Sequence, residues 1–348
     1  MTLGTWFKEN LVCPRDHQGL ECRGEMLVCA SDHRYPVVEG VPIMLIDDVE
    51  QTIGVATASL HRAQGKEAPD RRAAQLHLES LGISEAEKQG ILQLQANGQG
   101  EIDPVVAYLI GATSGYSYKH LIGRLPTYPI PELRLADVRG EAFLDIGCNW
   151  GRWSIAAARK GYAVVGIDPS LGAILAARRV AAQLGLPIRY LVADGRYLPF
   201  KPASFSTIFA YSVLQHLAPA DVGLVIAEVA RVLREGGTSF IQMAHFLGIR
   251  SLYHQARRRF RQAQDFEVRY WSMPQLKRAF GRIGRTSLSV DCYFGLGLQT
   301  ADRALMPNGL KLVIDTSEVL RKLSNVFSPL KYLADSLYVM SVKAISSL

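Results

Sequence analysis

Three things are scarce in this chain of 348 residues. It has no basic stretch leading into an apolar run near its start. MTLGTWFKENLVC carries Lys8 and Glu9 before any such run, so no secretory leader is expected. Long apolar runs are also missing. The longest uncharged stretch, Pro202 to Ala220, contains Gln215, His216 and several hydroxyls, and a membrane span needs about 20 predominantly apolar residues. Cysteine is sparse and odd in number: Cys13, Cys22, Cys29, Cys148 and Cys292. That count without a leader argues against a disulfide framework. The expectation is a soluble cytoplasmic protein without a membrane span.

What is present bounds the answer further. Apolar residues make up 48% of the chain, enough for a large core, and the length suits about two domains. The net charge of +7 is unevenly spread: residues 1–60 carry four basic and nine acidic side chains, residues 241–348 sixteen and seven. A positive field over the last third suits an anionic small molecule or partner, and an arginine-biased solvated surface explains it equally well.

Three cysteines fall within 17 residues, in CPRDHQGLECRGEMLVC. Cys13 and His17 are four positions apart, and Cys29 and His33 repeat that spacing. Two such loops offer two thiolates and two imidazoles, enough to close a tetrahedral structural zinc site with no open position. Asp16, Asp32 and Cys22 are alternative ligands, and a metal-free site with buried cysteines is a further reading. LECRGEMLVC between the loops reads as a hairpin turning at Gly24. A unit this small has too little core of its own, and a metal would supply the missing stability. The run HRYPVVEGVPIML that follows is similar to the zinc-ribbon fold of the small activator subunit that partners tRNA and protein methyltransferases. The resemblance covers about Leu11 to Ile46. Where that family usually has cysteines, this chain has histidines or aspartates.

The centre of the chain reads AFLDIGCNWGRWSIAAARKGYAVVGIDPS. AFLDIG is a short apolar run ending at a glycine, as a buried parallel strand would. An alanine-rich helix and a second buried strand follow, giving a βαβ unit of the nucleotide-binding kind. A dinucleotide loop wants G-x-G-x-x-G, and from Gly147 two of its three glycines fail, at Asn149 and Arg152. An acidic-x-G-x-G-x-G loop fits Asp145, Gly147 and Gly151, with Cys148 between and Asn149 at the middle glycine. Asparagine tolerates positive φ because its short side chain can bond locally. Asp168, before Pro169, closes the second strand, where a carboxylate can accept both ribose hydroxyls. Asp194 and Gly195 end the next strand, where a carboxylate can accept from an adenine amino group.

With DIGCNWG, GIDPS, VADGRYLPF, YSVLQHL and EVARVLREGG in this order, residues from about 141 to 244 resemble a class I S-adenosylmethionine-dependent methyltransferase, in the style of quinone-biosynthesis and small-molecule enzymes. Ser206 stands where that family commonly has aspartate. The resemblance implies an α/β fold: a seven-stranded Rossmann-like sheet with helices on both faces, beside the small N-terminal β domain. The expected division is residues 1–48 as the ribbon, 49–138 as a helical linker and cofactor-covering segment, and 139–348 as the methyltransferase domain with a helical insert at about 305–330. S-adenosylmethionine is the implied cofactor, and Tyr211 joins the residues expected to line it. Tyr118, Lys119, Arg124 and Tyr128 are candidates for the lid or substrate, against a reading as packing and solvated rim. Methyl transfer needs alignment and, for a hydroxyl acceptor, a base. His216, just past the fourth strand, is the first candidate base, and His245, after the fifth, the second.

Three functions compete. The first is methylation of an oxygen or carbon on a small-molecule, lipid or glycan acceptor. The second is RNA methylation of the rRNA type, which a basic chain with an N-terminal zinc ribbon invites and the acidity of this ribbon opposes. The third is a non-catalytic scaffold, which intact Asp145, Gly147, Gly151, Asp168 and Asp194 oppose.

Overall fold

The computed structural model describes residues 3–65, 102–103, 106, 109–110, 121, 125, 127–295 and 297–345. A short helix α1 (Thr5–Asn10) precedes a four-stranded antiparallel sheet. Its first two strands, β1 (Leu20–Arg23) and β2 (Met26–Cys29), form the expected hairpin with Gly24 in the turn. β3 (Arg34–Val38) and β4 (Val41–Pro42) complete it in the order β1-β2-β3-β4.

This small sheet has no separate interior. Leu11, Leu27, Tyr35 and Met44 share one apolar cluster with Leu191, Phe200 and Val229 of the larger unit. Backbone joins them too. Ile43 bridges Val192 in parallel, Met44 N donates to the Val192 carbonyl at 2.7 Å, and Leu11 bridges Phe200 antiparallel. An edge strand with open N–H and C=O groups is thus covered by the chain itself. Helix α2 (Gly54–Ala63) then lies on the same flank, with Ala56 and Leu60 buried.

The larger sheet is built from β5 (Ala142–Ile146), β6 (Ala163–Asp168), β7 (Arg189–Val192), β8 (Phe205–Ala210), β9 (Leu233–Ala244), β10 (Arg285–Cys292) and β11 (Ser336–Val342). Its order is β10-β11-β9-β8-β5-β6-β7, with β11 antiparallel to both neighbours and β5 to β9 parallel. Helices α3 (Arg152–Arg159), α4 (Leu171–Gln183) and α5 (Pro219–Val232) connect the parallel strands. α6 (Ile249–Arg257) and α7 (Met273–Phe280) lie between β9 and β10, and α8 (Asn308–Leu323) between β10 and β11.

Strand alternation sorts the two faces. Leu144, Ile208 and Ile241 pack with Val225 and Val229 of α5, while Phe143, Phe209 and Phe240 pack with Trp153 and Ala156 of α3. The seven-stranded sheet covered on both faces is the one expected from the sequence. Between β10 and β11 lie a 3₁₀ turn (Thr300–Leu305), α8 and a second 3₁₀ turn (Ser328–Leu333).

α5 stops at Val232, and Leu233 already pairs with Phe205 in β9. Leu233 is fully buried, and the register shift between Phe205 and Thr207 absorbs the extra residues, so core packing decides the boundary. Among the described residues, no helix is long and apolar enough to cross a membrane. The sheet order reverses at β5, whose neighbours β6 and β8 leave in opposite directions. The crevice beyond the C-terminal ends of these strands is where such sheets bind ligands.

Candidate active site

The loop after β5 turns sharply because two glycines take positive φ and have no room for a Cβ. At Gly147 (φ 71°) a Cβ would lie 2.3 Å from Val213 Cγ2, and at Gly151 (φ 86°) 2.3 Å from the Tyr190 hydroxyl oxygen. Between them Asn149 adopts φ 49°, and its Oδ1 accepts from Trp150 N at 2.8 Å. The residue in the middle glycine's place therefore supports its left-handed conformation by a bond of its own. Gly147 N and Cys148 N both donate to the Ile167 carbonyl, at 2.8 and 2.9 Å, which ties the loop to β6. Cys148 is buried, and burial pushes its thiol pKa well up, so it is an apolar filler there rather than a nucleophile.

Asp168 ends β6 directly below this loop. Its Oδ2 accepts from Asn149 N at 3.0 Å and its Oδ1 from Ser170 N at 2.9 Å. Burial raises its pKa to about 6, against the two backbone donors that lower it. Asp145 lies deeper, accepts from Ser154 Oγ at 2.6 Å, and is raised to about 7, chiefly by burial. Ser154, on the first turns of α3, was not singled out from sequence. Pro169 carries Asp168 into α4, capped by the Ser170 side chain.

Asp194 lies beyond β7 and is already engaged. Its Oδ1 accepts from Arg196 N at 2.8 Å, and its Oδ2 from Arg196 Nε and Nη2 at 3.0 and 2.8 Å. The same guanidinium reaches Asp221 Oδ1 at 3.0 Å. Sequence reading missed Arg196, although DGR spaces the two groups for this clasp. Gly195 lies close to Ile146, with 3.1 Å from an added Cβ to Cγ2.

Tyr211 follows β8, its ring 4.7 Å from that of Trp153. Its hydroxyl donates to Asp291 Oδ2 at 3.0 Å, and Ser336 Oγ donates to the same oxygen at 2.9 Å. Tyr128 faces Trp150 of the loop at 5.9 Å between centroids, while its hydroxyl donates to Gln183 Oε1 at 2.6 Å and accepts from Asp103 N at 2.8 Å. Tyr118, Lys119 and Arg124 lie outside the described residues.

The two histidines differ in access. His216, in a 3₁₀ turn (Leu214–His216), is partly exposed and stacks on Phe266 at 4.1 Å. Its Nδ1–H donates to the Phe266 carbonyl at 2.7 Å, which puts the lone pair on Nε2, where it accepts from Gln215 Nε2 at 3.4 Å. Burial lowers its pKa, so the ring is neutral at pH 7. His245, just past β9, is 1% exposed, and its Nδ1 bonds the Ala334 carbonyl at 2.9 Å. Access favours His216 as the group that could meet an acceptor.

The N-terminal loops bring together Cys13, Asp16, Cys29 and His33, whose ligand atoms all lie within 4.8 Å of one another. His33 Nδ1 lies 3.4 Å from Cys13 Sγ, 3.3 Å from Cys29 Sγ and 3.3 Å from Asp16 Oδ2, and Cys29 Sγ lies 3.8 Å from Asp16 Oδ2. Bond lengths of about 2.0–2.3 Å around a tetrahedral zinc put neighbouring ligand atoms about 3.3–3.8 Å apart. This cluster differs from the expected set at one position. His17 takes φ 59° and its Nε2 lies 4.0 Å from Glu228 Oε2 on α5, away from the cluster. The left-handed turn swings its side chain outward, and Asp16 stands in its place.

Residues 143–237 match the family model described as a methyltransferase domain. The ubiquinone biosynthesis O-methyltransferase of Paracidovorax citrulli is 34% identical over 123 residues, covering 33% of this chain and 51% of that protein. The one from Caulobacter vibrioides is 36% identical over 107 residues, 30% of this chain and 42% of that protein. The chain thus spans about half the length, or less, of these curated relatives. A solved S-adenosylmethionine-dependent methyltransferase from Methanosarcina mazei aligns with 60% of this chain and 95% of its own, at 18% identity and a TM-score of 0.43.

Proposed function

We propose that the chain is an S-adenosylmethionine-dependent methyltransferase acting on an oxygen or carbon of a small-molecule, lipid or glycan acceptor. The observation that carries this reading is the pairing of a tight Gly147–Gly151 loop with the Asp168 carboxylate at the sheet's reversal point. The matched methyltransferase-domain family supports it, and the names of the relatives favour oxygen.

The cradle suits this cofactor. The glycine loop leaves backbone room for its amino-acid and ribose parts, and no pyrophosphate has to be held. Asp168, fixed from both sides, would accept from the ribose hydroxyls. Among the described residues Asp194 Oδ1 accepts from Arg196 N alone, so it would keep a lone pair for an adenine amino group. When bound, the cofactor supplies a methyl group activated by a sulfonium. The chain's own residues would align the acceptor and take its proton, and His216 Nε2 is the base this reading assigns. The basic last third suits an anionic acceptor. Zinc held by Cys13, Asp16, Cys29 and His33 would staple the N-terminal sheet and take no part in the chemistry.

Titration calorimetry with S-adenosylhomocysteine tests the site. Micromolar binding is expected, weakened about a hundredfold in Asp168→Ala, since two hydrogen bonds to a charged group are lost. Ribose donors favour the ionised carboxylate, and Asp168 titrates at about 6 in the free protein. Affinity should therefore be flat above about pH 6 and fall about tenfold per unit below it, with that slope absent in Asp168→Asn. Unchanged affinity in Asp168→Ala would sink the assignment.

Once an acceptor is in hand, His216→Ala is expected to lower kcat by about 10²–10⁴ while S-adenosylhomocysteine binds as before. A change in kcat under threefold would remove the base from the mechanism. For the metal, elemental analysis should find about one zinc per chain, kept in His17→Ala and lost in Asp16→Ala and Cys29→Ser. Zinc lost in His17→Ala alone would restore the ligand set that sequence spacing suggested.

A further inference from the structure

Helix α2 lies outside the matched methyltransferase domain, yet it grips the turn that aims Asp168. Ser59, 2% exposed on its buried face, accepts from Leu171 N at 2.9 Å. The Ser59 hydroxyl oxygen also lies 2.8 Å from the carbonyls of Pro169 and Val55, so its one proton serves those acceptors. Pro169 and Leu171 flank Ser170, whose N–H holds Asp168 Oδ1 at 2.9 Å. Ser59 therefore bonds the backbone on both sides of the residue that orients the carboxylate.

The surroundings leave little other freedom. Ala56 and Leu60 of α2 share an apolar cluster with Leu171 and with Cys148 of the glycine loop. A few residues before α2, the Glu50 carbonyl accepts from Arg196 Nη2 at 2.7 Å, and Arg196 clasps Asp194. Both carboxylates assigned to the cofactor are thus braced, through one intermediary each, by the segment from Glu50 to Ser59.

We propose that Ser59 is a positioning residue for the cofactor's ribose. It fixes the Pro169–Leu171 turn so that the Asp168 carboxylate meets the ribose hydroxyls in one orientation. This rests on the reading of the site as an S-adenosylmethionine site. Without the hydroxyl, Leu171 N loses its acceptor and the turn gains freedom, while the apolar packing of α2 stays.

The test is calorimetry on the full chain with two probes, S-adenosylhomocysteine and its 2′-deoxyribose analogue. The wild type should prefer the hydroxylated probe by about tenfold, the worth of one well-placed hydrogen bond to a charged group. In Ser59→Ala that preference should shrink to about threefold or less, and Ser59→Thr, which keeps the hydroxyl, should restore it. A merely structural weakening would lower both affinities together and leave the preference intact, and that result would overturn the proposal. Wild-type affinity for neither probe would instead overturn the cofactor reading, and this proposal with it. Should Ser59→Ala fail to fold, Ser59→Cys, close in size but a poor hydrogen-bonding partner, carries the same test.

Discussion

Two backbone amides meet on one carboxylate. Asn149 N and Ser170 N both donate to Asp168, and the candidate site depends on that junction. It ties the loop after β5 to the turn after β6, so two strands of the sheet converge on one point. A buried carboxylate in that position is costly unless its lone pairs are used, and its raised pKa records the remaining cost. Asp145 repeats the device one layer deeper with Ser154. The glycines keep the same loop tight, because a Cβ at Gly147 would strike Val213 and one at Gly151 would strike Tyr190.

The N-terminal sheet is bound into this arrangement. It extends the larger sheet along β7, shares its core, and continues into α2, whose Ser59 reaches the Asp168 turn. In the folded chain the N-terminal sheet and the segment after it pack on the flank that carries Asp168 and Asp194. Metal at the Cys13 cluster would stabilise that sheet at its far end.

Sequence made the local geometry legible where residue type forces backbone shape. Gly147, Asn149 and Gly151 announced the loop, and Asn149 uses its own side chain as that reasoning required. Hydrophobic runs likewise announced β5 and β6, since a strand buried on both faces has no polar alternation to hide it. Pairings across the fold were not legible. His17 has the right spacing for a ligand but lies in a left-handed turn that only the folded hairpin imposes. Ser59 holding the Asp168 turn and Asp291 meeting Tyr211 join residues 110 and 80 positions apart by the packing of separate elements. Such contacts leave no periodicity or composition to read. The start of β9 at Leu233 likewise follows from burial against Phe205 rather than from the glycines that come after it.

The most direct test of the central claim is a crystal structure of the full chain with S-adenosylhomocysteine bound. The account predicts both ribose hydroxyls within hydrogen-bond distance of the Asp168 carboxylate, with the amino-acid part over Gly147 to Gly151. Ligand seated elsewhere, with Asp168 still bonded only to Asn149 and Ser170, would contradict it.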